Sequence, residues 1–124
     1  MPTTLILGAS PNPSRYAYRA AHSLQAVGEA LVLVGVRPGV VAGVAIQQAF
    51  PAADTVETVT LYLGPERQAE YYAAIVALRP KRVIFNPGTE NPAFARQLRQ
   101  AGIEPVVACT LVLIATGQYA LPGA

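Results

Sequence analysis

The feature that most constrains this chain is a recurring one. Five short apolar runs, rich in β-branched residues, each stop at glycine, proline or a polar residue, and longer stretches separate them. Thr4 to Leu7 ends at Gly8, Leu31 to Val36 ends before Pro38-Gly39, and Val59 to Leu63 ends at Gly64-Pro65. Arg82 to Phe85 ends at Asn86-Pro87-Gly88, and Pro105 to Ala108 is closed by Cys109. A strand with one wet face alternates apolar and polar residues. Continuous runs like these suit strands of a parallel sheet covered on both faces.

The intervening stretches carry helical spacing. Between Tyr16 and Val27, the apolar residues Ala17, Ala20, Ala21, Leu24 and Val27 trace one helix face, and Gly28 follows as a stop. From Pro65 to Leu78 the same spacing falls on Ala69, Tyr72, Ala73 and Val76, with Pro65 suited to the first turn. From Pro92 to Ala101 it falls on Phe94, Ala95, Leu98 and Ala101, with Asn91 as N-cap and Gly102 as stop. Between Val40 and Thr58 the pattern is poorest. Gly43 to Ile46 reads as a stub strand and Ile46 to Phe50 as one helical turn.

Alternating strand and helix implies right-handed crossovers. The expected fold class is α/β: a three-layer, Rossmann-like doubly wound parallel sheet of about five strands, helices on both faces. Residues 1–124 are expected to form a single domain. In the Rossmann order the first strand lies between the second and the one at Val59 to Leu63. Ligands then bind at the carboxyl ends of the strands, where the order reverses. Four loops converge there: Gly8 to Arg15, Arg37 to Gly39, Gly64 to Arg67, and Asn86 to Asn91.

Composition narrows the classes. The chain is 52% hydrophobic and 13% charged, against about 25% charged in an average globular domain. That excludes a disordered chain. Cys109 is the single cysteine, so no disulfide framework exists. A net charge of +2 is no footprint for nucleic acid. No apolar run approaches the roughly 18 residues of a spanning helix, so no membrane partner is expected. The first residues lack the basic region, apolar stretch and cleavage site of a signal peptide, and a cytoplasmic location is expected.

The first loop, Gly8-Ala9-Ser10-Pro11-Asn12-Pro13-Ser14-Arg15, joins a strand to a helix, where backbone N–H groups and the helix dipole favour a phosphate. Gly8 permits a tight turn, Ser10 and Ser14 add hydroxyls, and Arg15 can fork onto a phosphate. The plainer reading is a proline-rich connection with Ser14 as helix cap. The loop is not G-x-G-x-x-G, since Ser10 takes the second glycine's place, and no Walker Gly-Lys-Ser/Thr follows. At the end of the second strand, Arg37 stands where an NAD enzyme usually has an acidic residue. It suits a ribose carrying its own phosphate, as in coenzyme A or NADP, or else is a solvated surface residue. Arg19 and His22 share a helix stripe with Arg15 and read as a solvated face.

Asn86-Pro87-Gly88-Thr89-Glu90-Asn91 can meet the outer part of a ligand, with Glu90 as a base beside it, or serve only as a turn and helix cap. Cys109 reads as a small buried hydrophobe. Tyr62, Tyr71 and Tyr72 read as core or edge packing, or as a self-association face that would make a homo-oligomer. No catalytic set and no metal-ligand cluster is evident.

With these motifs in hand, the chain resembles the small stand-alone CoA-binding proteins, whose fold is that of the CoA-binding domain of the succinate–CoA ligase α subunit. The carrying motifs are Leu5 to Asn12, Leu33 to Gly39 and Asn86 to Pro92, then Ala101-Gly102-Ile103 and Ala108-Cys109-Thr110. The resemblance implies a Rossmann-type domain that binds coenzyme A or an acyl-CoA. It places Gly8, Ala9, Ser10 and Arg15 near the phosphates, and Asn12 of the same loop joins the expected cofactor-binding set. It places Val36, Arg37 and Pro38 around the adenosine, and Leu63 and Gly64 beside the nucleotide, with Asn86, Pro87 and Gly88 completing the set. Two departures stand out. Arg37-Pro38 replaces the usual Asn-Pro, and Gly64-Pro65 stands where members often carry an arginine.

The expected function is non-catalytic or accessory binding of coenzyme A. The alternatives are a small NADP-dependent oxidoreductase, with Glu90, Tyr62 and Cys109 as its only proton-donor candidates, and an interaction module that has lost its nucleotide.

Overall fold

The computed structural model describes residues 2–51 and 56–121. A seven-stranded sheet runs in the order β3-β4-β2-β1-β5-β6-β7. The strands are β1 (Thr3–Leu7), β2 (Ala30–Val34), β3 (Val40–Val41), β4 (Val44–Gln47), β5 (Thr58–Leu61), β6 (Arg82–Phe85) and β7 (Glu104–Val107). All neighbours pair in parallel except the β3–β4 hairpin. As the sequence pattern implies, β1 is central, with Leu5 opposite Val32 on one side and Val59 on the other. The order reverses beside it, and the fold is α/β and Rossmann-like.

Burial on both faces explains the continuous apolar runs. Along β1, Leu5 and Leu7 enter one core layer and Ile6 the other. The first layer packs Val59, Leu61, Val83 and Phe85 against helices α3 (Tyr72–Leu78) and α4 (Pro92–Gln100) through Ile75, Leu78, Phe94 and Leu98. Tyr72 stacks on Phe94 with ring centroids 4.1 Å apart. The second layer sets Ile6, Leu33 and Ile84 against helix α1 (Tyr16–Ala26) through Ala17, Ala20, Ala21 and Leu24. Small alanines let α1 lie close to the sheet. Fully burying one of the larger aliphatic side chains contributes about 1.5–3 kcal/mol.

Several expectations need correction. The helix read from Pro65 to Leu78 is broken into α2 (Pro65–Gln68), a 3₁₀ turn over Ala69–Tyr71, and α3. The 3₁₀ turn holds three residues rather than 3.6, so it rotates the apolar stripe. Ala69 and Ala73 become exposed, and Gln68, Ile75 and Leu78 are buried instead. Val27, placed on the apolar face of α1, lies beyond its end and is 55% exposed. No helical turn forms at Ile46 to Phe50. Ile46 is a buried strand residue of β4, paired with Leu33, and β4 grows out of the hairpin whose turn residues Ala42 and Gly43 both have positive φ. The second and third apolar runs end as strands at Val34 and Leu61, two residues earlier than expected. Cys109 does not close β7. It is the N-cap residue of a further helix, α5 (Thr110–Ala115).

At the amino ends of the strands, the buried Arg82 donates to Thr58 Oγ1 and to the Tyr119 carbonyl, and its guanidinium sits 4.5 Å from the centre of the Tyr119 ring. The Tyr119 hydroxyl meets Thr4, whose hydroxyl donates to buried Glu29. This polar cluster pins the chain after α5 to the end of the sheet opposite the switch point.

Candidate functional site

A cleft of about 390 Å³ opens at the carboxyl ends of β2, β1, β5 and β6. Ligand pockets span roughly 300–1,000 Å³. All four loops expected to converge contribute. The wall beside β2 has Gly35, Val36 and Arg37, and the floor has Gly8, Ala9, Ser10, Asn12, Arg15, Tyr16 and Ala17. The far wall has Tyr62, Leu63, Gly64, Arg67 and Tyr71, and then Pro87, Gly88 and Thr89.

Close backbone packing builds the floor. Gly8 has φ +95°, and the N–H groups of Gly8 and Ala9 both donate to the Val34 carbonyl at 2.9 Å. A Cβ on Gly8 would lie 3.0 Å from the Tyr62 carbonyl, so the first loop leans directly on the start of the β5–α2 connection. A Cβ on Gly35 would lie 2.2 Å from the Ala9 carbonyl oxygen, so β2 ends flush under the same loop. Farther along, Asn12 N–H donates to Ser10 Oγ, and Ser14 N–H and Oγ–H both donate to Asn12 Oδ1.

This wiring changes which groups are available to a ligand. The Gly8 and Ala9 amides are committed to Val34, and Ser14 is tied to Asn12 rather than capping α1. The N-cap of α1 is Arg15, with no side-chain cap bond. The amides of Ser10, Tyr16 and Ala17 have no acceptor among the described residues. Leading amides of a helix need an acceptor from outside it. Asn91, by contrast, does cap α4, accepting from Phe94 N–H at 3.1 Å as its sequence predicts.

The electrostatics are one-sided. Among the described residues, Arg15, Arg37 and Arg67 line the cleft and no Asp or Glu does. The single ion pair among the described residues, Lys81–Glu57, involves none of the three. Burial pushes the Tyr62 phenol up to about 12, against the lowering influence of the Thr110 and Thr60 hydroxyls beside it. It stays neutral at physiological pH.

Eleven of the residues singled out in the sequence line this cleft: Gly8, Ala9, Ser10, Asn12, Arg15, Val36, Arg37, Leu63, Gly64, Pro87 and Gly88. Two do not. Pro38 is exposed outside it. Asn86 is 3% exposed and fully used inside the protein. Its Nδ2 donates to Thr60 Oγ1 and the Leu61 carbonyl, and its Oδ1 accepts from Thr110 N–H at 2.8 Å. It follows β6 immediately, so its side chain points into the layer where α5 begins. Glu90 accepts from Gly88 N–H and lines a separate concavity between α4 and β7. Cys109 is half-buried and lines neither.

Sequence reasoning did not single out Arg67 or Thr89, although both lie within converging loops, and it missed Gly35, Tyr16 and Ala17 as lining residues. It read Tyr62 and Tyr71 as packing or a self-association face, and Tyr62 also as a proton donor for an oxidoreductase. Gln68 is another omission. Completely buried, it donates to the Leu63 and Thr89 carbonyls at 2.9 and 2.7 Å and accepts from Asn91, joining the two loops of the far wall. A glutamine inside a helical pattern carries no sequence signal of that role.

Comparison with known proteins gives the same architecture. The crystal structure of an uncharacterized protein is 48% identical, with a TM-score of 0.92 over 95% of this chain and 98% of its own. A Thermus thermophilus protein is 25% identical with a TM-score of 0.82, covering 94% of this chain and 90% of that one. A hypothetical protein from Pyrococcus horikoshii OT3, 24% identical over 95% of this chain and 83% of its own, shares the fold at a TM-score of 0.81. None of the curated proteins compared with the chain matches it. Residues 2–115 match the family model described as CoA binding domain, and the chain therefore belongs to the CoA binding domain family.

Proposed function

We propose that residues 1–124 act as one cytoplasmic unit that binds coenzyme A or an acyl-CoA in this cleft, without a catalytic set of its own. The observation that carries the reading is the cleft's charge: among the described residues, three arginines without an ion pair and no carboxylate, over a floor with amides lacking acceptors. Coenzyme A brings a pyrophosphate and a 3′-phosphate. Ser10 with its amide, and the amides of Tyr16 and Ala17, suit the pyrophosphate, with Arg15 beside them. Arg37, on the β2 wall, suits the 3′-phosphate, and Val36, 65% exposed next to it, offers an apolar surface to the adenosine. The group supplies a thiol for acyl transfer when bound. This chain contributes binding and orientation.

Calorimetric titration with coenzyme A, NADP and ATP tests this. Binding of coenzyme A in preference to the other two is expected. Tight binding of NADP instead would favour the oxidoreductase reading, and binding of none would favour the module that has lost its ligand. Arg37→Glu should weaken coenzyme A more than dephospho-coenzyme A. Equal losses for both would remove the 3′-phosphate from Arg37.

A further inference from the structure

Three arginines open into the cleft, and the assignment above uses two. We propose that Arg67 is the third phosphate ligand, gripping the pyrophosphate from the β5 side, opposite Arg15. Each phosphate of coenzyme A then has one arginine. This rests on the reading of the cleft as a coenzyme A site and adds a charge requirement to it: the ligand carries a pyrophosphate as well as a separate ribose phosphate.

Position supports it. The first loop lies between Arg37, on the β2 side, and Arg67, on the β5 side. Gly8 abuts the backbone of Tyr62 and the side chain of Leu63. The chain then turns at Gly64, whose carbonyl accepts from Arg67 N–H at 3.0 Å, which brings Arg67 back to the cleft. Neighbouring strands are roughly 4.8 Å apart, a gap an extended arginine spans. Gln68, the next residue, is locked by its bonds to Leu63 and Thr89, so the backbone bearing Arg67 is fixed. The acidic neighbour Glu66 lies against Gly64 and does not line the cleft. Arg67 forms no ion pair among the described residues. Helix α2 is four residues long, so its dipole adds little and the guanidinium is what this element offers.

The two wall arginines predict different ligand dependence. Dephospho-coenzyme A keeps the pyrophosphate and lacks the 3′-phosphate. Arg67→Glu should therefore weaken coenzyme A and dephospho-coenzyme A by the same factor, about 10- to 100-fold for a lost charge-assisted contact. Arg67→Lys should lose less than Arg67→Glu, since a point charge remains. Arg96→Glu, beside the separate concavity at α4, controls for the general effect of reversing a charge and should bind both ligands as wild type does. If Arg67→Glu fails to fold, Arg67→Gln gives the same comparison. Wild-type affinity for both ligands in the Arg67 variants overturns the proposal, and so does a loss confined to coenzyme A. If the wild-type chain binds neither ligand, the coenzyme A reading itself falls, an outcome visible before any variant is made.

Discussion

Replacing Gly35 by alanine should damage stability and ligand binding together. Gly35 has an ordinary φ, so the substitution introduces no backbone strain of its own, and its effect is steric. The added methyl would sit 2.2 Å from the Ala9 carbonyl oxygen, whereas ordinary contact begins at 3.4 Å. One of the two segments must retreat by about 1.2 Å, the difference of those distances. Neither retreats cheaply. Ala9 is held by its amide on Val34, and Gly35 by its own N–H on the Gln47 carbonyl, both at 2.9 Å. Overpacking of this kind costs about 1–3 kcal/mol, and a clash with backbone belongs at the upper end. Alanine returns roughly 0.4–1 kcal/mol by restricting the unfolded chain. The net loss is about 2 kcal/mol, which for a chain of this size lowers the melting temperature by about 6–12 °C. The Ala9–Ser10 backbone moves with the retreat, and a misplacement of about 1 Å at a binding site is felt strongly. Coenzyme A affinity should fall by about tenfold or more. A thermal melt followed by calorimetric titration reads both effects. A variant that melts within about one degree of wild type would refute the close approach. One that melts low but binds normally would show that the first loop does not hold the ligand.

Asn86→Ala should destabilise by about 2–4 kcal/mol while sparing the cleft lining, because it strands the Leu61 carbonyl and the Thr110 amide in the interior. A urea midpoint that does not move would show that these bonds add nothing. The buried phenols set an alkaline limit. An unfolded tyrosine ionises near 10, and Tyr62 in the fold at about 12. The folded state thus retains the proton longer, and stability complete below pH 10 is lost as pH rises toward 12, by on the order of 2 kcal/mol from this group. Tyr119, raised by burial in the same direction, adds to the fall. Urea midpoints between pH 9 and 11.5 should decline more gently in Tyr62→Phe than in wild type, and identical slopes would contradict this account.

The parts of the fold legible in the sequence are those whose burial leaves a pattern. Strands β1, β2, β5 and β6 show as apolar runs because both of their faces are covered, and α1 and α4 show as 3.6-residue stripes because one of theirs is. Strand β7, an edge strand with Glu104 and Val107 exposed, shows by its Pro-Val-Val composition alone. The hairpin was hard to see. Val40–Val41 is two residues long, and its turn uses Ala42-Gly43 rather than an asparagine–glycine pair. Helix α5 reads Thr-Leu-Val-Leu-Ile-Ala, apolar all round, and so has no stripe to detect. At the cleft, the loops were legible from topology alone, because strand order decides which strand ends meet. Side-chain direction was not. Asn86 turns inward and Arg67 outward, and nothing in their neighbours announces it.

The cluster at the opposite end of the sheet bears on how the chain is made. Arg82 opens β6, yet an acceptor for its guanidinium comes from Tyr119, 37 residues later. During synthesis β6 emerges well before that acceptor exists, and burying the guanidinium without it would leave part of its hydrogen bonding unmet. Until Tyr119 arrives, the guanidinium at this strand end keeps its water, and docking of the segment after α5 is what turns Arg82 from a solvated charge into a buried one.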